Sequence, residues 1–272
     1  MTKNDAQTGY AEVNGLDMYY EVHGDGLPLI LLHGGFGATG MFGEVLLPQL
    51  AASRSVIAAD LQGHGRTADV GRPLSLELMA DDIAALIRHL GFEKADVMGY
   101  SLGGGVALRT AIRHPEVVRK LVVVSFPFKG DGWYPEIRES AAQMGAHTAE
   151  FMRQTPMYQL YAEIAPRPED WPALWGKMGE LLRQDYDWTD EVAAMKTPTL
   201  IVAGDADSMA PARAAEFFSL LGGGQRDGSW DRSGMTPHRL AILPGTTHYD
   251  IFASPALAAA VIPFLDAPLK EQ

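Results

Sequence analysis

The chain contains no cysteine. Disulfides, thiolate metal sites and a cysteine nucleophile are therefore excluded. It also lacks long apolar runs. None approaches the ~20 residues needed to cross a bilayer, so no membrane span is expected. Residues 1–8 carry no apolar core of the kind that marks a secretory leader, and a cytoplasmic location is the expectation. Positive charge is scarce as well: 22 lysines and arginines stand against 34 acidic residues, a formal net charge of −12. A surface of that sign repels phosphate backbones, which argues against nucleic acid as a partner. No internal repeat or low-complexity tract interrupts the 272 residues, a length that fits one large domain or one domain with an insertion.

What is present alternates between two periodicities. Segments 9–13 and 16–22 flank Asn14-Gly15, a strong hairpin signal. Continuous apolar runs follow at 28–32, 55–59, 95–98, 120–124, 199–203 and 239–243, as strands buried on both faces require. Helix-period segments lie between them. In 76–90, Leu78, Ile83, Leu86, Ile87 and Leu90 share a face and Gly91 is the stop. The others are 104–113, 211–221 and 255–265. The alternation predicts an α/β fold, a mostly parallel sheet with helices on both faces and the hairpin as an antiparallel edge. It fails between 126 and 190, where no strand-like run occurs but Trp133, Trp171, Trp175 and Trp188 fall. A helical cap at 126–190, inserted into a core made of 1–125 and 191–272, is the expected organisation. Residues 222–234 read as a polar, glycine-rich, exposed loop.

The chemistry centres on Gly99-Tyr100-Ser101-Leu102-Gly103. It fits Gly-x-Ser-x-Gly and sits between a strand-like run and a helix-like run. A serine so placed must turn the chain sharply, and its small neighbours allow that. Its hydroxyl is then held at the carboxyl edge of the sheet, beside a helix N-terminus. A serine hydroxyl is a poor nucleophile at neutral pH and needs a base, an acid to orient the base, and donors for developing negative charge. His248, just after the run 239–243, is the candidate base. The run 199–203 leads into Gly204-Asp205-Ala206-Asp207-Ser208 and offers two acids. Asp207, further into the loop, is favoured; Asp205 would instead stabilise the turn through its own backbone. The expected oxyanion donors are the N–H of Leu102 and that of Phe36, with Gly35 as the alternative, in His33-Gly34-Gly35-Phe36-Gly37. His33 is read as orienting that loop without transferring protons. Residues 60–67 read as a structural turn beside it, with His64 disfavoured as a second base. Most of the aromatic and methionine side chains of 126–190 would glue the cap to the sheet. Trp133, Met157, Trp171 and Trp175, together with Tyr249, are the expected lining of an apolar pocket over Ser101.

Taken together and in this order, the segments 33–37, 60–67, 99–103 and 204–207 with His248 resemble the α/β-hydrolase superfamily across almost the whole chain. The resemblance implies an eight-stranded sheet, a cap after the sixth strand, and a triad of Ser101, Asp207 and His248. It implies no metal and no organic cofactor. Serine at 101 departs from haloalkane dehalogenases and epoxide hydrolases, which place an aspartate there. Tyr249-Asp250-Ile251-Phe252 lacks the tryptophan associated with carbon–carbon bond hydrolases. The loop 33–37 lacks the proline typical of bacterial perhydrolases, and the elbow lacks the tryptophan of proline iminopeptidases. The implied activity is hydrolysis of a small-molecule carboxylic ester or lactone. Acyl transfer, carbon–carbon bond hydrolysis and non-catalytic ligand binding are the alternatives. Residues 222–252 are similar to a bacterial branch containing serine esterases that open macrolide lactones. A macrolide or other large lactone is thus one expected substrate.

Overall fold

Asn14 and Gly15 both take positive φ, 50° and 76°, as a two-residue hairpin turn requires. They join β1 (Gln7–Val13) to β2 (Leu16–His23), paired antiparallel in the register Val13 to Leu16. In the computed structural model, which describes residues 6–43 and 45–269, this hairpin is one edge of an eight-stranded sheet. Residues 1–5, part of the segment read above for a leader, lie outside the described residues. The remaining strands are β3 (Leu27–Leu32), β4 (Arg54–Ala59), β5 (Ala95–Tyr100), β6 (Val118–Val124), β7 (Thr199–Ala206) and β8 (Arg239–Thr247). Their order is β1-β2-β4-β3-β5-β6-β7-β8. The pairing of β2 with β4 is antiparallel, and every pairing from β4 to β8 is parallel.

The apolar runs are continuous because the inner strands are covered twice. Ile30 and Leu32 of β3, with Leu121 and Val123 of β6, face one apolar cluster; Leu29, Leu31, Val122 and Val124 face the other. The first cluster is completed by α2 (Leu76–His89), α3 (Leu102–Arg113) and α8 (Pro211–Leu220), the second by α1 (Leu46–Ala51) and α9 (Pro255–Asp266). Helix α1 was not expected from the sequence. Its six residues include Pro48, and so short a segment carries no readable helical period. On the hairpin, Ala11, Val13, Leu16 and Met18 turn to the first cluster only, hence the polar alternation there.

Between β6 and β7 run α4 (Pro135–Ala142), a 3-10 segment (Ala146–Gln154), α5 (Pro156–Ile164), α6 (Trp171–Arg183) and α7 (Thr189–Ala194). The two ends of this insertion are stitched together. Lys129 bridges Asp187, Gly130 N–H donates to Tyr186 O at 2.8 Å, and Trp188 N–H donates to Phe128 O at 3.1 Å. Residue 190, expected as its end, falls inside α7. Ala149, Tyr161, Trp171, Leu174, Trp175 and Met178 belong to the same apolar cluster as one face of the sheet. Among the described residues, no helix is long and apolar enough to cross a membrane.

Candidate active site

Ser101 joins β5 to α3 with φ 51° and ψ −120°. For a side-chain-bearing residue this sparsely populated positive-φ geometry costs roughly 1–3 kcal/mol. It persists because the flanks over-determine it. A Cβ on Gly99 would lie 1.9 Å from Gly103 O, and one on Gly103 would lie 2.4 Å from Leu32 O. Only glycine lets strand, turn and helix come this close.

Three parallel strands end at the same edge. Ser101 follows β5, Asp207 follows β7 and His248 follows β8. The Ser101 hydroxyl donates to His248 Nε2 at 3.0 Å, and His248 Nδ1–H donates to Asp207 Oδ1 at 2.8 Å. Both contacts hold for a single tautomer, the one protonated on Nδ1. Asp207 is buried and fully partnered. Oδ1 also accepts from Ser208 N at 2.7 Å, while Oδ2 accepts from Ser125 Oγ at 2.5 Å and Gly204 N at 3.1 Å. Burial pushes its carboxyl upward, but the donors, His248 and Ser125 foremost, outweigh that and hold it below the usual carboxylate range. Asp205 is exposed and accepts from Gly245 N at 2.9 Å and Thr246 N at 3.3 Å. It was expected to brace its own turn. It braces the neighbouring strand instead, where β8 runs past 243 to Thr247 and pairs with Ala206.

The segment 33–37 runs beside the elbow. Gly37 N–H donates to Gly34 O at 3.1 Å, making Gly35 and Phe36 the central residues of a turn in which Phe36 has φ 60°. The N–H groups of Phe36, Gly35 and Leu102 have no acceptor among the described residues; that of Leu102 opens α3. His33 is fully buried. Its Nδ1–H donates to Gly34 O at 2.7 Å, and its Nε2 accepts from Leu61 N at 3.0 Å. Burial drives its pKa down to about 4, against the pull of Gly34 O. It is a neutral strut between the loop and the turn at 60–67. Asp60 ties the same pieces by accepting from Thr39 N and Arg66 N, each at 2.7 Å. His64 is likewise buried, with burial first and His33 second driving its pKa to about 3.

Comparison with known proteins places the chain in a family. A family model described as alpha/beta hydrolase fold matches residues 28–156. RutD of Azorhizobium caulinodans, a protein named for carbamate hydrolysis, is 31% identical over 222 residues, spanning 74% of this chain and 82% of RutD. The chain belongs to the α/β-hydrolase fold family. It is a hydrolase. A pimeloyl-[acyl-carrier protein] methyl ester esterase of Neisseria meningitidis serogroup B is 31% identical over 250 residues, 85% of this chain and 92% of the esterase. The carboxylesterase CesB of Bacillus subtilis superposes with a TM-score of 0.72 over 98% of this chain and 94% of CesB, at 18% identity.

Around the serine of this α/β-hydrolase, the expected pocket residues divide. Trp133 sets its ring edge-on to His248 at 5.8 Å, with Nε1–H donated to Tyr186 Oη at 3.1 Å. Tyr249 stands exposed at the rim, its ring 5.5 Å from that of His248. Trp175 stacks on Phe36. Trp171 was expected in the lining but is wholly buried. Its Nε1–H donates to Ala149 O at 3.0 Å and its ring packs among Tyr158, Tyr161 and Trp175. Met157, also expected there, sits in the first turn of α5, partly exposed; Trp133, Tyr100 and Tyr249 make the ring contacts to His248. Two residues went unread in the sequence. Tyr100 Oη donates to His248 O at 2.5 Å, pinning the histidine loop to the elbow. Ser125, with φ 55°, anchors the far oxygen of Asp207. A serine ending an apolar strand run was the available hint.

Proposed function

We propose that the chain hydrolyses a small-molecule carboxylic ester or lactone through an acyl-enzyme on Ser101. The observation that carries this is the unbroken relay from the Ser101 hydroxyl through His248 to Asp207, at 3.0 and 2.8 Å. In this scheme His248 Nε2 takes the serine proton as Oγ attacks the carbonyl carbon. The N–H groups of Leu102 and Phe36, or Gly35 in place of Phe36, receive the negative charge on the former carbonyl oxygen. His248 then gives its proton to the departing alcohol. A water, deprotonated by the same imidazole, releases the acid. Asp207 keeps the imidazole in the productive tautomer and stabilises its charged form, helped by Ser125 and the Gly204 and Ser208 amides.

The segment 126–190 serves as the cap. Its Trp133, together with Tyr249 from the segment after β8, supplies aromatic surface beside His248, which favours a lipophilic or bulky acyl or alcohol part, a macrolide or other large lactone included. Relatives named for a methyl ester and for a carbamate share the acyl carbonyl as reacting centre. The test is labelling by a fluorophosphonate probe together with a panel of p-nitrophenyl esters, lactones, macrolides and carbamates. Wild type should label and hydrolyse esters or lactones, while Ser101→Ala should do neither. Full esterase activity in Ser101→Ala would remove the proposal.

A further inference from the structure

Phe36 occupies a backbone position that turn chemistry reserves for glycine or asparagine. It is the second central residue of the turn closed by Gly37 N–H and Gly34 O, and its φ is 60°. A phenylalanine has no local reason to remain there, because the left-handed conformation crowds Cβ against the following carbonyl. Something outside the turn must hold it.

The contacts of its ring identify what does. Phe36 lies stacked on Trp175 of α6, with centroids 4.8 Å apart and planes 27° apart. Trp171, one helical turn earlier, stands 5.6 Å away and tilted by 57°. Met178, on the same stripe of α6, brings its Cε within 2.9 Å of where a Gly35 Cβ would lie. Residues 171, 175 and 178 recur at helical spacing, so one face of α6 covers both central residues of the turn. Trp175 is itself fixed. It is 7% exposed, and its Nε1–H donates to Thr148 Oγ1 at 2.9 Å.

We propose that Trp175 is a positioning residue: its stack on Phe36 holds the turn in the left-handed geometry that sets the Phe36 N–H in the oxyanion site. This rests on the acyl-enzyme reading above and deepens it. The inserted helix α6 is then part of the catalytic apparatus as well as a cover over it. A phenylalanine at a glycine position is useful here because its ring gives the insertion something to grip.

The test compares the loss caused by Trp175→Ala in two backgrounds, wild type and Phe36→Gly, by steady-state hydrolysis of p-nitrophenyl butyrate. With Phe36 present, Trp175→Ala should lower kcat about tenfold, equivalent to ~1.4 kcal/mol, with KM changed by about twofold or less. Glycine adopts φ 60° without help. In the Phe36→Gly background the same substitution should therefore change kcat by less than about twofold. Equal losses in both backgrounds, or no loss in either, would overturn the clamp. If Trp175→Ala does not fold, Trp175→Phe and Trp175→Leu replace it. The first keeps a ring to stack and should retain more kcat than the second; equal kcat would overturn the clamp. Fluorophosphonate labelling of wild type, with Ser101→Ala as control, separates the two levels. An unlabelled wild type removes the acyl-enzyme reading and the clamp with it, whereas a labelled wild type with equal losses removes only the clamp.

Discussion

Replacing Ser125 by alanine and by glycine separates a hydrogen bond from a backbone constraint at the acid end of the relay. The Ser125 hydroxyl donates to Asp207 Oδ2 at 2.5 Å, with both residues buried, and its backbone sits at φ 55°. A hydrogen bond to an ionised partner contributes about 1.5–3 kcal/mol net, and both variants lose it. The left-handed conformation costs alanine roughly 1–2 kcal/mol; glycine avoids that but gives up about 0.5–1 kcal/mol more chain entropy. Glycine should thus recover up to about 1.5 kcal/mol of the alanine loss. In a chain of this size 1 kcal/mol moves Tm by about 2–4 °C, so Ser125→Ala should lower Tm by about 3–12 °C and Ser125→Gly by less. Activity should divide differently. Both variants remove the same support from Asp207 and should lose kcat by the same factor, up to about tenfold, since only the part of the bond that strengthens in the transition state counts. The pH dependence has a definite sign. Asp207 is held below its unfolded value, so its stabilisation is fully present above the ordinary carboxylate pKa near 3.9 and disappears as pH falls through the folded value. The stability gap between wild type and either variant should narrow below about pH 4. Thermal melts, urea melts across pH and p-nitrophenyl ester kinetics measure all three. A glycine variant with wild-type Tm and wild-type kcat would refute the role given to the hydroxyl.

Two further outcomes follow from buried groups near the elbow. Gly103→Ala would push a Cβ to 2.4 Å from Leu32 O and 2.5 Å from His33 O, both backbone atoms that cannot step aside. It should cost on the order of 3 kcal/mol or more and appear as insoluble or early-melting protein; a soluble variant with unchanged Tm would contradict the packing. His33 is held neutral by burial at a pKa of about 4, below its unfolded value of about 6.5. Its contribution to stability is therefore complete above pH 6.5 and fades as pH falls toward 4. The gap in unfolding free energy between wild type and His33→Gln should shrink by about 2–3 kcal/mol from pH 7 to pH 4.5 in urea melts. A constant gap would mean the imidazole is not the buried neutral strut described.

Much of the fold was legible because its signals are local. Asn14-Gly15 dictates a hairpin turn through the φ values it tolerates, and doubly covered strands must be apolar at every position. The helices α2, α3, α8 and α9 carry their own period and stops. Helix α1 and the strand extension to Thr247 were not legible, since one has too few residues for a period and the other is set by pairing with Ala206 of the neighbouring strand after a register shift. The site divided along the same line. Residue types and order nominated Ser101, His248 and two aspartates, with Asp207 favoured for lying further into the loop, but which carboxylate faces the imidazole is a matter of the fold. In the structure that is Asp207, 41 residues from His248.

The sequence by itself determined the alternation of strand and helix, the sharp turn at Ser101 and the kinds of group that could serve it. All of these follow from the conformational limits of neighbouring residues. Tertiary structure alone decided which groups meet. The contact of Ser101 with His248 spans 147 positions and that of Ser125 with Asp207 spans 82. It also decided that two tryptophans four residues apart on α6, both buried, close on Phe36, with Trp175 stacked flat on its ring and Trp171 tilted against it. A helical pattern states that two residues share a face. What that face rests on is set only when the chain closes around a common core.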